Sequence, residues 1–254
     1  VCLIVVAHRA HPDFPLIVAA NRDEFYRRPA MAAAFWTDQP QVLAGRDLQG
    51  GGTWLGVTRQ GRWAALTNVR GSRPVADGPS RGLLVSGFLQ GHEAPQTYLN
   101  RLAAQGHRYA GFNLLAGDCH SLACFSNCDD GLRILDPGYY GLSNHLLDTP
   151  WPKVERAKAR IKALVECRVF HPDGLWDMLA DRRLPQENGL PDTGLDPQRE
   201  RALGAIFVRL PGYGTRCSTL LLIDRNGHGT LAERRFDADG NIEGESRFGF
   251  PVVP

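Results

Sequence analysis

A cysteine stands at position 2, directly ahead of the apolar run Leu3-Ile4-Val5-Val6-Ala7. Once the residue before it is removed, this thiol carries the α-amine of the chain. An α-amine titrates near ~7.7–8.0 and a cysteine thiol near ~8.5, so the amine can take the thiol's proton without a histidine. That is the chemistry of an N-terminal nucleophile. The chain as written opens on Val1, as a GTG start codon read literally would give. A small second side chain suits removal of an initiator. Read for packing alone, Cys2 is a small apolar residue opening a buried strand.

Four polar residues, Asn21-Arg22-Asp23-Glu24, follow the apolar stretch Leu16 to Ala20. Charge at the end of a buried strand is costly unless paired. A guanidinium there lowers the pKa of a neighbouring thiol, and a carboxylate orients an ammonium. The plainer reading is a turn with a structural ion pair. Asn68 in Leu66-Thr67-Asn68 and Asn144 in Leu142-Ser143-Asn144 close apolar segments. Their side-chain N–H groups suit an oxyanion, and equally suit capping a loop. Arg216 follows Pro211-Gly212-Tyr213-Gly214-Thr215, where glycine permits close backbone approach. Ends of neighbouring strands meet at one edge of a two-sheet sandwich. These residues are therefore expected to share one cleft.

The elements that must position them are mostly strands. Val1 to His8 and Leu16 to Asn21 are apolar throughout and joined by a short link, which predicts adjacent antiparallel central strands. Thr53 to Thr58 and Arg62 to Asn68 form a second pair, with further strands at Gly111 to Gly117, Ser121 to Ser126 and Gly131 to Leu135. Arg81 to Gln90 and Pro95 to Gln105 read as helices. Trp151 to Cys167 is the clearest helix, with Thr149 as N-cap and Val154, Ala157, Ile161 and Leu164 at helical spacing. Pro172 to Ala180 adds another, and Pro185 to Arg201 reads as a surface loop. Two final strands, Arg216 to Asp224 and Gly229 to Phe236, flank Arg225-Asn226-Gly227. Strands near both ends with helices between them predict one α+β domain over residues 1–254.

Composition removes several classes of function. A 43% hydrophobic share with 22% charged residues describes a globular chain with a real core. A net charge of +2, from 29 basic against 27 acidic residues, argues against a nucleic-acid binder. Only Lys153, Lys158 and Lys162 are lysines, a bias that reads as base composition. No GxxxxGK[ST], GxGxxG or HExxH occurs. Cys119, His120, Cys124 and Cys128 match no zinc spacing and read as small buried thiols, so no metal or cofactor is expected. The six cysteines are too scattered for a disulfide framework. No basic segment precedes the first apolar run, and no stretch approaches ~18 consecutive apolar residues. A cytoplasmic chain without a membrane span is the expectation. The five tryptophans sit in core patterns, which predicts a monomer or weak dimer.

Taken together, several blocks carry a resemblance. Cys2-Leu3-Ile4, Leu16 through Tyr26, Gly51-Gly52-Thr53-Trp54-Leu55-Gly56, Ala65-Leu66-Thr67-Asn68, Gly111-Phe112-Asn113-Leu114, Tyr140 to Asn144 with Thr149-Pro150-Trp151, and Pro211 to Arg216 resemble the NRDE-motif family, also called the transport-and-Golgi-organization family. The resemblance implies an N-terminal-nucleophile-hydrolase-like fold, a four-layer αββα sandwich. More loosely, it is similar to the cysteine branch of those hydrolases, the bile-salt hydrolases and penicillin acylases. That similarity implies Cys2, Arg22, Asp23, Asn68, Asn144 and Arg216 as catalytic residues, with Asn21, Glu24 and Trp54 as substrate contacts. The branch spaces its pair Arg-Asn-x-Asp, whereas this chain reads Asn21-Arg22-Asp23-Glu24, which leaves Asn21 or Glu24 as substitutes for Arg22 or Asp23. The implied activity is hydrolysis of a non-peptide C–N bond in a small molecule. Family members are also linked to haem trafficking and to lipid or acyl-coenzyme A handling, so a non-catalytic carrier is the alternative.

Overall fold

The computed structural model describes residues 2–72, 75, 78–129, 131–186, 190–191 and 193–253. Val1, with which the first predicted strand begins, lies outside the described residues, as do parts of the stretch 185–201. In chain order the elements are β1 (Cys2–His8), β2 (Leu16–Phe25), β3 (Ala30–Phe35), β4 (Val42–Asp47), β5 (Leu55–Thr58) and β6 (Trp63–Asn68), then α1 (Gly82–Gln90) and α2 (Pro95–Ala103). There follow β7 (Phe112–Gly117), β8 (Leu122–Ser126), β9 (Leu132–Ile134) and β10 (Gly138–Leu142), then α3 (Pro152–Val165), α4 (Asp173–Leu179) and α5 (Pro197–Leu203). The chain closes with β11 (Arg209–Leu210), β12 (Tyr213–Ile223), β13 (His228–Phe236) and β14 (Ile242–Pro251).

The strands form two antiparallel sheets. One runs β10-β1-β2-β12-β13-β14, with β11 added beside β12; the other runs β3-β4-β5-β6-β7-β8-β9. β1 and β2 pair from Cys2 opposite Arg22 to His8 opposite Leu16. β10 flanks β1 and β12 flanks β2, so both are interior strands, as their unbroken apolarity requires.

Alternation divides each strand between two cores. Ile4, Val6, Val18, Ala20, Leu221 and Leu231 meet Leu43, Leu55, Val57, Trp63 and Leu115 between the sheets. The opposite side chains of the first sheet, Leu3, Val5, Ile17 and Ala19, pack under Val154, Ala157 and Ile161 of α3 and Leu175 and Met178 of α4. The second sheet's outer face carries α1 through Val85 and Phe88 and α2 through Leu99 and Leu102. The result is the four-layer αββα order. Each fully buried Val, Leu, Ile, Phe or Met among these contributes about 1.5–3 kcal/mol.

Two local expectations are corrected. Thr149 does not cap α3; its hydroxyl donates to the Leu146 carbonyl, and Trp151 is the N-cap with Pro152 in the first turn. The stretch 185–201 is not wholly loop, because Asp196 accepts N–H bonds from Gln198 and Arg199 and starts α5.

Candidate functional site

Register aligns the chemistry. Cys2 stands opposite Arg22, Arg22 opposite Cys217, and Cys217 opposite Arg235, so four side chains form a row across β1, β2, β12 and β13. Period-two alternation puts this row on the face that also carries Ile4, Ala20, Leu221 and Leu231. Here the apolar filling between the sheets gives way to a cleft of ≈ 620 Å³. Cys2, Arg22, Asp23, Glu24, Asn68, Trp54 and Arg216 all line it. Trp54 also packs on the inter-sheet core. The pairing of β2 and β12 slips between Thr215 and Cys217, which leaves Arg216 as the extra residue of a bulge. Its Nη1 donates to the carbonyls of Phe25 (3.0 Å) and Arg28 (2.9 Å).

Asn144 holds Cys2 from behind. Its Oδ1 accepts the Cys2 backbone N–H at 3.3 Å, while its Nδ2 donates to the Asn68 carbonyl at 2.9 Å. Ser143 Oγ donates to the Cys2 carbonyl at 2.8 Å. Asn144, expected to face a substrate oxygen, does not line the cleft; its Oδ1 and one N–H of its Nδ2 bond the backbone of Cys2 and Asn68. Asn68 does line the cleft, and its side-chain amide makes no hydrogen bond among the described residues.

The Cys2 thiol is pushed above its ordinary value, first by burial and further by the Asp23 charge. A bond from the Asp23 backbone and the Arg22 guanidinium act the other way. Arg22 does favour the thiolate, as expected, but burial outweighs it, and Cys2 rests as a thiol that needs a base. Cys119 and Cys128 are exposed rather than buried; only Cys124 of that group is buried.

Asn21 alternates onto the opposite face of β2, toward the helices, and does not line the cleft, while Asp23 shares its parity yet borders the cleft. Asn21 Nδ2 donates to the carbonyls of Leu179 (2.8 Å) and Ile206 (2.9 Å), and its Oδ1 accepts from Ser218 Oγ at 2.6 Å. It is a fully buried clamp between β2 and α4, which corrects its assignment as a substrate contact. Asp23 Oδ1 accepts from Thr215 Oγ1 at 2.7 Å. Burial pushes the Asp23 carboxyl up to about 6, against the pull of the Lys153 ammonium. Glu24 returns to the cleft face beside Arg22 (4.0 Å) and Arg28 (3.8 Å).

Besides Cys217 and Arg235 of the row, charged residues in or beside the cleft escaped the sequence reading. Lys153, fully buried in the first turn of α3, is pushed down to about 8 by burial and held up chiefly by Asp23. Its rarity, one of three lysines, was the available signal. Glu233 lines the cleft, accepts the Ala33 N–H at 2.8 Å and is pushed up by burial. Arg81, just before α1, lines the cleft with Nη1 on the Gly111 carbonyl at 3.0 Å. No group of three or more metal-ligating side chains occurs among the described residues. Among those residues no helix is long and apolar enough to cross a membrane.

The fold and the blocks are shared with known proteins. A solved structure of a Caenorhabditis elegans N-acylethanolamine-hydrolyzing acid amidase ortholog matches with a TM-score of 0.54 at 12% identity, covering 87% of this chain and 92% of that one. This likeness fixes the architecture as N-terminal-nucleophile-hydrolase-like. The chain is 41% identical to the Bos taurus Transport and Golgi organization protein 2 homolog over 238 residues, 87% of this chain and 86% of that protein. It is 39% identical to the Mus musculus homolog with the same coverage. A family model described as Transport and Golgi organisation 2 matches residues 1–238. By that match and these relatives, the chain belongs to the Transport and Golgi organisation 2 family.

Proposed function

We propose that this protein is an amidohydrolase whose nucleophile is Cys2, freed of the preceding residue, and that it acts on a non-peptide C–N bond of a small molecule. The observation that carries the reading is the row Cys2–Arg22–Cys217–Arg235 at the floor of the cleft, with the free amide of Asn68 on its wall. The α-amine of mature Cys2 takes the Sγ proton as the sulfur attacks the amide carbonyl. Asn68 Nδ2 donates to the oxyanion that forms. Collapse breaks the C–N bond, and the α-ammonium returns its proton to the departing amine. Water, deprotonated by the same α-amine, then cleaves the thioester and releases the acid. Asp23, ionised, favours the ammonium; Asn144 keeps the Cys2 nitrogen in place. The amidase named in the matched solved structure hydrolyses an amide, which accords with this class of reaction.

The test is amine release across a panel of small amides. Cys2→Ala is expected to abolish turnover, and Asn68→Ala to lower kcat by about 10²–10³-fold, the cost of one oxyanion donor. Full turnover in Cys2→Ala would remove the reading and leave the cleft to a carrier of haem or an acyl thioester.

A further inference from the structure

The arginines that line the cleft are not equivalent. Arg22 shares Glu24 with Arg28, Arg28 also holds Asp47 at 2.7 Å, and Arg46 holds Asp38 at 2.8 Å. Arg81, Arg216 and Arg235 meet no carboxylate within 4.0 Å among the described residues; Arg235 keeps a buried Nε without a partner, whereas Arg81 and Arg216 bond backbone carbonyls. A guanidinium has five N–H donors, and these bonds use one nitrogen of each. None of the remaining nitrogens of Arg81 and Arg216 is buried without a partner, so the spare donors open on the cleft. Two half-buried cations with no carboxylate within 4.0 Å, in the same cleft as a nucleophile, offer charged donors to an anion.

We infer that Arg81 and Arg216 bind a carboxylate of the substrate, so that the amide cleaved belongs to a carboxylate-bearing small molecule. This rests on the hydrolase reading for its chemistry but not for its binding. Both guanidiniums are held in place by backbone carbonyls. Arg81 is anchored to the Gly111 carbonyl before β7, and Arg216 spans the turn after β2 through two carbonyls. Their positions are thus set before a ligand arrives. Planar, bidentate donors suit a carboxylate better than a hydroxyl. Cys2 and Glu24 are the acidic groups close enough to act on Arg81, which places it near the thiol.

Titration calorimetry on the Cys2→Ala chain separates the two readings. N-hexanoylglycine and N-hexanoylethanolamine are amides of similar size that differ in a carboxylate against a hydroxyl. The glycine conjugate is expected to bind at least about 10-fold more tightly, as a charge-assisted hydrogen bond allows. That preference should vanish in Arg81→Gln with Arg216→Gln, persist in Arg81→Lys, and weaken as salt rises. Equal affinity for the two amides, measured without any arginine substitution, overturns the carboxylate site, as does a preference that survives in the doubly substituted chain. Turnover by the unsubstituted chain is scored separately. Preference without turnover keeps the anion site and removes the hydrolase; turnover without preference does the reverse.

Discussion

Asp23 and Lys153 are both buried, and each is shifted toward its neutral form. The folded carboxyl titrates at about 6 against an ordinary 3.8, so between about pH 4 and 6 the folded chain holds a proton that the unfolded chain has released. Stability therefore falls as pH rises through that window. Lys153 works in the opposite sense. Folded, it loses its proton near 8 against an ordinary 10.5, so the unfolded chain holds more protons between about pH 8 and 10.5 and stability rises there. Urea melts across pH should show both slopes. Asp23→Asn should remove the first and Lys153→Met the second; unchanged slopes in both would contradict the assignment. The same ionisation reaches the reaction. Turnover should decline below about pH 6 as Asp23 protonates, by up to about 10²-fold, the lower range for a group acting in proton transfer. Asp23→Asn should show that lowered rate with no inflection near 6.

At the level of elements, the approach of α1 to the strands that frame the cleft depends on glycine. A Cβ at Gly52 would lie 2.3 Å from the carbonyl carbon of Gly82, a backbone atom that opens α1. Gly52→Ala is expected to push α1 outward at a cost of about 1–3 kcal/mol. A urea midpoint that does not move would contradict the packing. Sequence periodicity carried much of this frame. β1 and β2 are apolar on both faces, and the turns before β6 and β13 put Gly61 and Gly227 at φ 76° and 74°, as tight turns require. β3 was illegible because Ala30-Met31-Ala32-Ala33-Ala34 favours helix; it is a strand through pairing with β4 and the bond from Ala33 to Glu233. β14 was illegible because it is an edge strand whose alternate side chains are exposed Glu and Arg. The motif Asn21 to Glu24 was visible as chemistry, yet which alternate residues face the cleft depends on where the second sheet lies. No local pattern records that, and Asn21 was misread for this reason. Lys153 was missed likewise, since helix periodicity marks its neighbour Val154 and says nothing of the Asp23 beneath it.

For the whole molecule, the inter-sheet core joins both sheets through Leu43, Trp63, Val18 and Leu221, and we propose one domain over residues 1–254. Calorimetry should give a single unfolding transition, and two resolved transitions would contradict it. Exposed large apolar side chains such as Leu83, Ile134, Val169 and Ile242 belong to separate elements or the segments between them, and light scattering is expected to report a monomer or weak dimer. An obligate tetramer would contradict that. The cleft opens where one end of the first sheet meets β6 and the turn into α1, so the molecule gathers a thiol, an amide and arginines from distant parts of the chain. Whether that thiol is an N-terminal nucleophile is decided by intact mass and peptide mapping of protein purified from its own cells and quenched during incubation with an amide substrate. The account predicts a first peptide that begins at Cys2, part of it carrying the acyl group on Sγ. A residue still joined to the Cys2 nitrogen, or acyl groups on other cysteines with Cys2 untouched, would contradict it.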